Sequence, residues 1–165
     1  MNYFELYGLT LAPSVDTSVI PRKYFELQKK YHPDYHSTSS SIEQEEMMLR
    51  SAEVNQAFKI FSDREKTLEY FLKVTGMLEE NEKYELSPGF LMEMLELNDT
   101  LMDRSPDEAR KEIEAMEKEL YDEVKHIILD YGNSAAPTDG ADIMKLKDYY
   151  YKRKYLQRIL DRIAD

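Results

Sequence analysis

The sequence predicts an all-α protein in two parts. Apolar residues recur at helical spacing in several segments, as in the steps of four and three that join Ile20, Tyr24 and Leu27, and this spacing puts them on one face of a helix. Neither the alternating pattern of a strand nor an Asn-Gly hairpin turn occurs. Charge is divided unevenly, with a net of −2 over residues 1–75 and −9 over residues 76–165. We therefore expect two helical parts that differ in electrostatic character.

Four helices are expected in the first part. Asn2 is a suitable N-cap for a first helix of about two turns, and Gly8 suits its end. The second helix should stop near Tyr31, because the proline at position 33 forces the residue before it out of the α region. The predicted helices cover about 2–8, 16–31, 43–61 and 64–74.

Three helices are expected in the second part, after a polar connection over about 76–87. Ser87-Pro88 and Ser105-Pro106 are typical helix starts, because serine caps a helix and proline is tolerated at its first position. Gly132-Asn133 and a loop with Pro137 should separate the last two helices. The predicted helices cover about 88–103, 106–131 and 141–164, and the last one has its inner face at Leu146, Tyr149, Leu156, Leu160 and Ile163. Three long antiparallel helices with short connections form a bundle.

Composition excludes several classes of function. The chain has 165 residues, 42% of them hydrophobic, and no apolar stretch long enough to cross a bilayer. Without cysteine it has no disulfide, zinc finger or thiolate nucleophile. The net charge of −11 argues against nucleic acid as the main partner, because phosphate contacts need a basic surface. The start of the chain lacks a signal-peptide pattern, so we expect a soluble cytoplasmic protein. The sequence predicts neither a cofactor nor self-association.

The tripeptide His32-Pro33-Asp34 offers two interpretations. In an extended backbone the side chains of His32, Asp34 and His36 would point the same way and could hold zinc or iron, as in a metal-dependent enzyme. No strand pattern surrounds them, however, and no further ligand lies nearby in the sequence. The plainer interpretation is an exposed turn with a helix-stopping proline. It leaves unexplained the cations on the preceding helix, which are Arg22, Lys23, Lys29 and Lys30.

A hairpin with His-Pro-Asp at its tip, cations on its first helix and a short helix across its base resembles the J-domain of the DnaJ co-chaperone family. The resemblance covers residues 1 to about 75, and the segments 54–58 and 62–66 also look like the end of that domain. Tyr35 stands where lysine is common in the family, and Arg64 where proline is common. We expect these departures to adjust affinity rather than to abolish the interaction.

Segments in both halves narrow the resemblance to HscB, the J-protein of iron-sulfur cluster assembly. They are the runs at residues 1–9, 27–34, 90–97 and 155–160. In that family an L-shaped molecule joins the J-domain to a C-terminal three-helix bundle. The bundle binds the cluster scaffold IscU, and the J-domain presents it to HscA, an ATPase of the seventy-kilodalton heat-shock chaperone class. The resemblance thus implies a co-chaperone and not an enzyme. A general J-protein with another client is the closest alternative.

The helix predicted after Ser87 carries two apolar stripes. At about 100° per residue, Phe90, Met94, Leu97 and Leu101 form one stripe, and Leu91, Leu95 and Met102 form a second one about a quarter-turn away. A bundle helix that contacts two neighbours would bury both stripes. Alternatively, the second stripe is an exposed apolar patch rimmed by acids, which is typical of a protein-binding surface. The resemblance to HscB favours the patch and implies scaffold contacts at Leu91, Met92, Leu95, Glu96, Asp99, Asp103 and Tyr155.

The resemblance also implies roles at the tripeptide. His32, Pro33 and Asp34 would contact an HscA- or DnaK-type chaperone, and Arg22, Lys23, Lys29 and Lys30 would face an acidic surface of that chaperone. Such cations mainly speed encounter and set register. They could equally form a solvated face. The sequence shows no nucleophile with a base and no phosphate-cradling glycine loop that would let this chain hydrolyse ATP itself.

Overall fold

A computed structural model describes residues 1–131 and 140–164. The chain divides into two compact units, Met1–Thr75 and Gly76–Asp165. Seven α-helices account for the regular structure of the described residues, apart from two short 3₁₀ turns. The predicted all-α class is therefore confirmed. In the described part of the chain, no helix combines the length and apolar character that crossing a membrane requires.

Four helices form the first unit, and local capping explains where two of them begin. The helices are α1 Tyr3–Leu6, α2 Ile20–Tyr31, α3 Ser41–Phe61 and α4 Arg64–Val74. Asn2 caps α1 in a capping box with Glu5, but the helix is a single turn, shorter than predicted, and ends before Gly8 at φ 63°. The Ser40 hydroxyl accepts from the Glu43 N–H at 3.3 Å, so α3 begins two residues earlier than predicted.

Aromatic side chains form the core of the first unit. Phe4 of α1 lies 5.0 Å from Phe61 of α3 between ring centroids, and Phe71 of α4 is also fully buried. The α2–α3 hairpin is held by the Tyr24 and Phe58 rings, whose centroids are 4.7 Å apart. These contacts fix the two long helices side by side, so that the connection between them projects as a tip.

Three helices form the second unit. They are α5 Pro88–Leu101, α6 Pro106–Asp130 and α7 Gly140–Ala164. Ser87 and Ser105 cap α5 and α6 as predicted, accepting from backbone N–H groups at 3.2 and 3.3 Å. α5 ends at Leu101, two residues before the predicted end. The predicted stop at Gly132-Asn133 and the loop with Pro137 lie outside the described residues.

One apolar core joins the three helices of the bundle. Its buried members are Phe90, Met94 and Leu97 of α5, Ile113 of α6, and Leu156 and Ile159 of α7. α6 and α7 run antiparallel, because Ile113 packs with Leu156 near one end while Val124 and Met144 line one cleft nearer the other. Of the predicted inner face of α7, Leu146, Tyr149 and Leu156 are buried, while Leu160 and Ile163 are partly buried.

The segment before α5 is fastened to α7 by polar side chains. Glu82 forms an ion pair with the buried Lys147 and accepts a hydrogen bond from the Tyr151 hydroxyl at 2.8 Å. These bonds hold the pKa of Glu82 below its ordinary value. Tyr84 stacks on Tyr151 with ring centroids 4.4 Å apart and donates to Asp148 at 2.9 Å. Burial, with a smaller effect from Asp148, raises the pKa of Tyr84 to about 12.

Candidate binding sites

The tripeptide forms an exposed turn at the tip of the α2–α3 hairpin. His32 leaves the helical region at ψ 133°, and Pro33–Tyr35 makes a 3₁₀ turn that the Tyr35 N–H closes onto the His32 carbonyl at 3.0 Å. The Asp34 N–H donates to Nδ1 of His32 at 3.3 Å, which ties the His32 ring to the backbone of the turn. Pro33 is half-buried, whereas the side chain of Asp34 is 86% exposed. A carboxylate on a fixed turn is thus presented to solvent.

The interpretation of this tip as a metal site is wrong. The metal interpretation needed an extended backbone from His32 to His36, but residues 33–35 form a 3₁₀ turn. The Nε2 of His36 donates to the Lys30 carbonyl at 2.6 Å, which commits that ring to closing the end of α2. Among the described residues, no group of three histidine or carboxylate side chains is placed to hold a metal ion.

The four predicted cations of α2 fall on two stripes of the helix. Arg22 and Lys29 lie on one stripe and are both exposed, and Arg22 forms a long 3.9 Å pair with Glu26. Lys23 and Lys30 lie about a quarter-turn away at 100° per residue. Lys23 is half-buried near Gly8, and the Lys30 ammonium sits 5.1 Å from the centroid of the Tyr31 ring.

Phe25 lies between Arg22 and Lys29 and is 65% exposed. It was missed by the sequence prediction, although it stands three residues after Arg22 and four before Lys29 and therefore on their stripe. A large aromatic ring left in water between two cations is unusual on a solvated helix face, and aromatic and arginine side chains are enriched at protein interfaces. This surface, Arg22, Phe25 and Lys29, is called the α2 face below.

The second apolar stripe of α5 is exposed. Leu91, Met92 and Leu95 are 40%, 60% and 63% exposed, whereas Met94 of the first stripe is fully buried. α5 therefore does not bury both stripes, and the interpretation of a broad buried arc is wrong. The three exposed side chains, with Met102 at 87% exposure, make the surface called the α5 patch below.

Carboxylates border the α5 patch. Glu96, Asp99 and Asp103 are all exposed, and among the described residues no ion pair engages them. Tyr155 of α7 is half-buried, and its ring meets the Phe90 ring edge to face with centroids 6.0 Å apart. Tyr155 therefore packs against the start of α5 and leaves only part of its surface exposed.

Two family models match the chain and together span most of it. The DnaJ domain model matches residues 2–70, and the model described as the HSCB C-terminal oligomerisation domain matches residues 86–164. The first match contains the tripeptide and the α2 face, and the second contains the α5 patch.

Curated relatives and a solved structure are similar to the chain over much or all of its length. A protein of Shewanella woodyi named as a co-chaperone protein HscB homolog is 29% identical and covers 100% of this chain and 98% of its own. A homolog from Vibrio cholerae is 35% identical over 61% of this chain and 60% of its own. The crystal structure of the human co-chaperone HscB superposes with a TM-score of 0.78 at 27% identity, covering 99% of this chain and 81% of that one. The chain therefore belongs to the HscB family of J-domain co-chaperones.

Proposed function

We propose that this protein binds an IscU-type iron-sulfur scaffold through the α5 patch and delivers it to an HscA- or DnaK-type heat-shock chaperone. The tripeptide and the α2 face then stimulate ATP hydrolysis by that chaperone. The observation that carries the proposal is the presence, on one chain, of an exposed His-Pro-Asp turn in one unit and an exposed apolar patch rimmed by acids in the other.

At the chaperone end, the turn presents a negative charge to solvent. Asp34 is the exposed carboxylate of the turn, and its backbone N–H is occupied by His32 at 3.3 Å. Because the side chain is 86% exposed, its carboxylate oxygens can accept hydrogen bonds from a cation on the chaperone, and such bonds are stronger than those between neutral groups. Arg22 and Lys29 on the α2 face are positively charged. Complementary charge on an acidic surface of the chaperone speeds encounter and fixes orientation.

At the scaffold end, α5 exposes apolar surface to water. Leu91, Met92 and Leu95 expose between 40% and 63% of their surface on consecutive turns of one helix. Contact with a partner would remove this surface from water at a gain of about 25 cal/mol per Å² of apolar area. Methionine adapts to irregular partner surfaces, and the flanking acids select a partner with a basic rim.

Carrying both sites on one chain has a consequence for the mechanism. A scaffold held by the bundle is brought to the chaperone at a raised effective concentration whenever the J-domain engages it. Delivery and stimulation are therefore coupled without a new contact between scaffold and J-domain. The catalytic groups belong to the chaperone, and this chain changes the rate only by binding.

The proposal is tested with the full-length protein in two assays run side by side. Calorimetry measures binding of an IscU-type scaffold, and single-turnover hydrolysis measures stimulation of the chaperone, with Asp34→Asn and Leu91→Ala/Met92→Ala/Leu95→Ala as variants. We expect the first variant to lose stimulation but keep scaffold binding, and the second to lose scaffold binding but keep the basal stimulation by the J-domain. Wild-type protein that captures no IscU-type scaffold while still stimulating the chaperone would indicate another client.

A further inference from the structure

The loop that follows the tripeptide is tied down by two side chains, His36 and Gln44. The His36 ring donates to the Lys30 carbonyl at 2.6 Å, which joins the loop to the last turn of α2. Its backbone N–H donates to the Pro33 carbonyl at 2.9 Å, which closes the turn that contains the tripeptide. His36 thus links the end of α2 with the turn from a single position.

Gln44, in the first turn of α3, holds the same loop from the other side. Its amide Nε2 lies 3.3 Å from the carbonyl oxygen of His36, 3.2 Å from that of Ser37 and 3.0 Å from that of Ser39. Three backbone carbonyls therefore converge on one amide group, which has two protons to share among them. The His36 carbonyl also accepts from the Ser39 N–H at 3.1 Å, so Gln44 adds to a loop that is already partly closed by its own backbone.

These bonds matter to Asp34 because its own side chain is hardly restrained by the fold. That side chain is 86% exposed, and its Oδ2 atom lies 3.6 Å from Nδ1 of the His32 ring. Its direction follows from the turn, and the turn is fixed relative to α2 and α3 through His36 and Gln44. A carboxylate that must meet one cation on a partner gains affinity when this direction is set before binding.

We propose that His36 and Gln44, the loop clasp, are positioning residues for stimulation of the chaperone: they hold the His32-Pro33-Asp34 turn in its binding orientation without contacting the chaperone. This inference rests on the proposed function. Loss of the clasp leaves only a fraction of the molecules with the turn in the competent orientation. The apparent affinity falls by that fraction, whereas the effect at saturation is unchanged.

The test replaces the donor and keeps the helix. Gln44→Glu has the same shape but cannot donate, and Gln44→Leu removes the amide without adding charge. We expect both variants to raise the concentration of co-chaperone that gives half-maximal ATPase stimulation by about five- to tenfold, the equivalent of losing one or two hydrogen bonds. Maximal stimulation at saturation should stay at the wild-type level. Gln44→Lys, which retains donors, should recover most of the loss.

Gln56→Glu is the matched control, because it makes the same charge change on an exposed position of the same helix. It should leave the half-maximal concentration at the wild-type value. A purely structural role for Gln44 would lower the melting temperature but would not shift the half-maximal concentration at a temperature where the variants are folded. A shift of less than twofold for both Gln44→Glu and Gln44→Leu would overturn the inference.

A second readout needs no partner and separates this inference from the proposed function. Amide hydrogen exchange of the His36 N–H reports the bond to the Pro33 carbonyl. It should become about five- to tenfold faster in Gln44→Leu. Unchanged exchange refutes the clasp even if the chaperone is stimulated. Faster exchange, in a protein whose wild type stimulates no chaperone, refutes the proposed function and the role of the clasp in it.

Discussion

Replacing residues of the α5 patch and of the core beneath it should separate binding from folding. Met92 and Leu95 are 60% and 63% exposed, so together they bury less surface than one whole side chain. Since full burial of such a side chain is worth about 1.5–3 kcal/mol, the double change Met92→Ala/Leu95→Ala should cost less than about 2 kcal/mol of folding stability. Met94, on the other stripe of α5, is fully buried, and Met94→Ala should cost about 2–5 kcal/mol.

The effect on binding should run the other way. If Met92 and Leu95 are central to the scaffold interface, removing both should weaken binding by about 3–4 kcal/mol, which is a factor of about 100 to 1,000. Urea unfolding gives the stability change of each variant, and calorimetry with an IscU-type scaffold gives the affinity. Met94→Ala, measured where it remains folded, should bind within a factor of about ten of wild type. A double variant that loses more stability than Met94→Ala and binds normally would refute this account of the patch.

Three further outcomes are expected. Phe25→Ala should raise the co-chaperone concentration that gives half-maximal stimulation by about tenfold or more, as for an interface aromatic. Its melting temperature should stay near that of the wild type, because the ring is 65% exposed. A large drop in melting temperature with full stimulation would contradict this. Asp63 caps α4 by accepting from two N–H groups at 2.9 and 3.0 Å, so Asp63→Ala should cost about 0.5–2 kcal/mol in urea unfolding. The lowered pKa of Glu82 means that its contribution to stability is present above the ordinary glutamate pKa of about 4.3 and is lost as pH falls through the folded value. Glu82→Gln should therefore be less stable than wild type at pH 7, and the difference in their free energies of unfolding should become smaller below pH 4. A difference that becomes larger in acid would show that the carboxylate form is not the stabilising one.

The helices were predictable because their signals are local. Ser87 and Ser105 stand directly before prolines, and the cap, the fixed proline φ and the apolar spacing all indicate the same start. The errors lie where two local signals compete or where a side chain far along the chain decides. The signals at Asn2 and Gly8 are compatible with a helix of one turn or of two, and α1 has one. Phe4 of this single turn packs against Phe61, which is far along the chain.

The candidate sites were predictable in part. The spacing of residues 90–102 separated two stripes on α5, but spacing cannot say whether the second stripe meets a neighbouring helix, and only the packing of α5 on α6 and α7 leaves Leu95 exposed. The cations of α2 and their division into two stripes follow from the sequence spacing, yet the exposure of Phe25 depends on which side of α2 packs on α3. The role of Gln44 has no local signal, because its acceptors belong to a loop whose path the sequence does not specify.

The most direct test of the central claim is single-turnover ATP hydrolysis by an HscA- or DnaK-type chaperone, with and without an IscU-type scaffold. The full-length protein is compared with Asp34→Asn, which keeps the size of the side chain but removes its charge. Because Asp34 is exposed and the α5 patch lies in the other unit, we predict that the variant binds the scaffold with wild-type affinity yet fails to stimulate hydrolysis under either condition. Wild-type stimulation by Asp34→Asn would contradict the claim that the tripeptide is the chaperone-binding end of a two-ended adaptor.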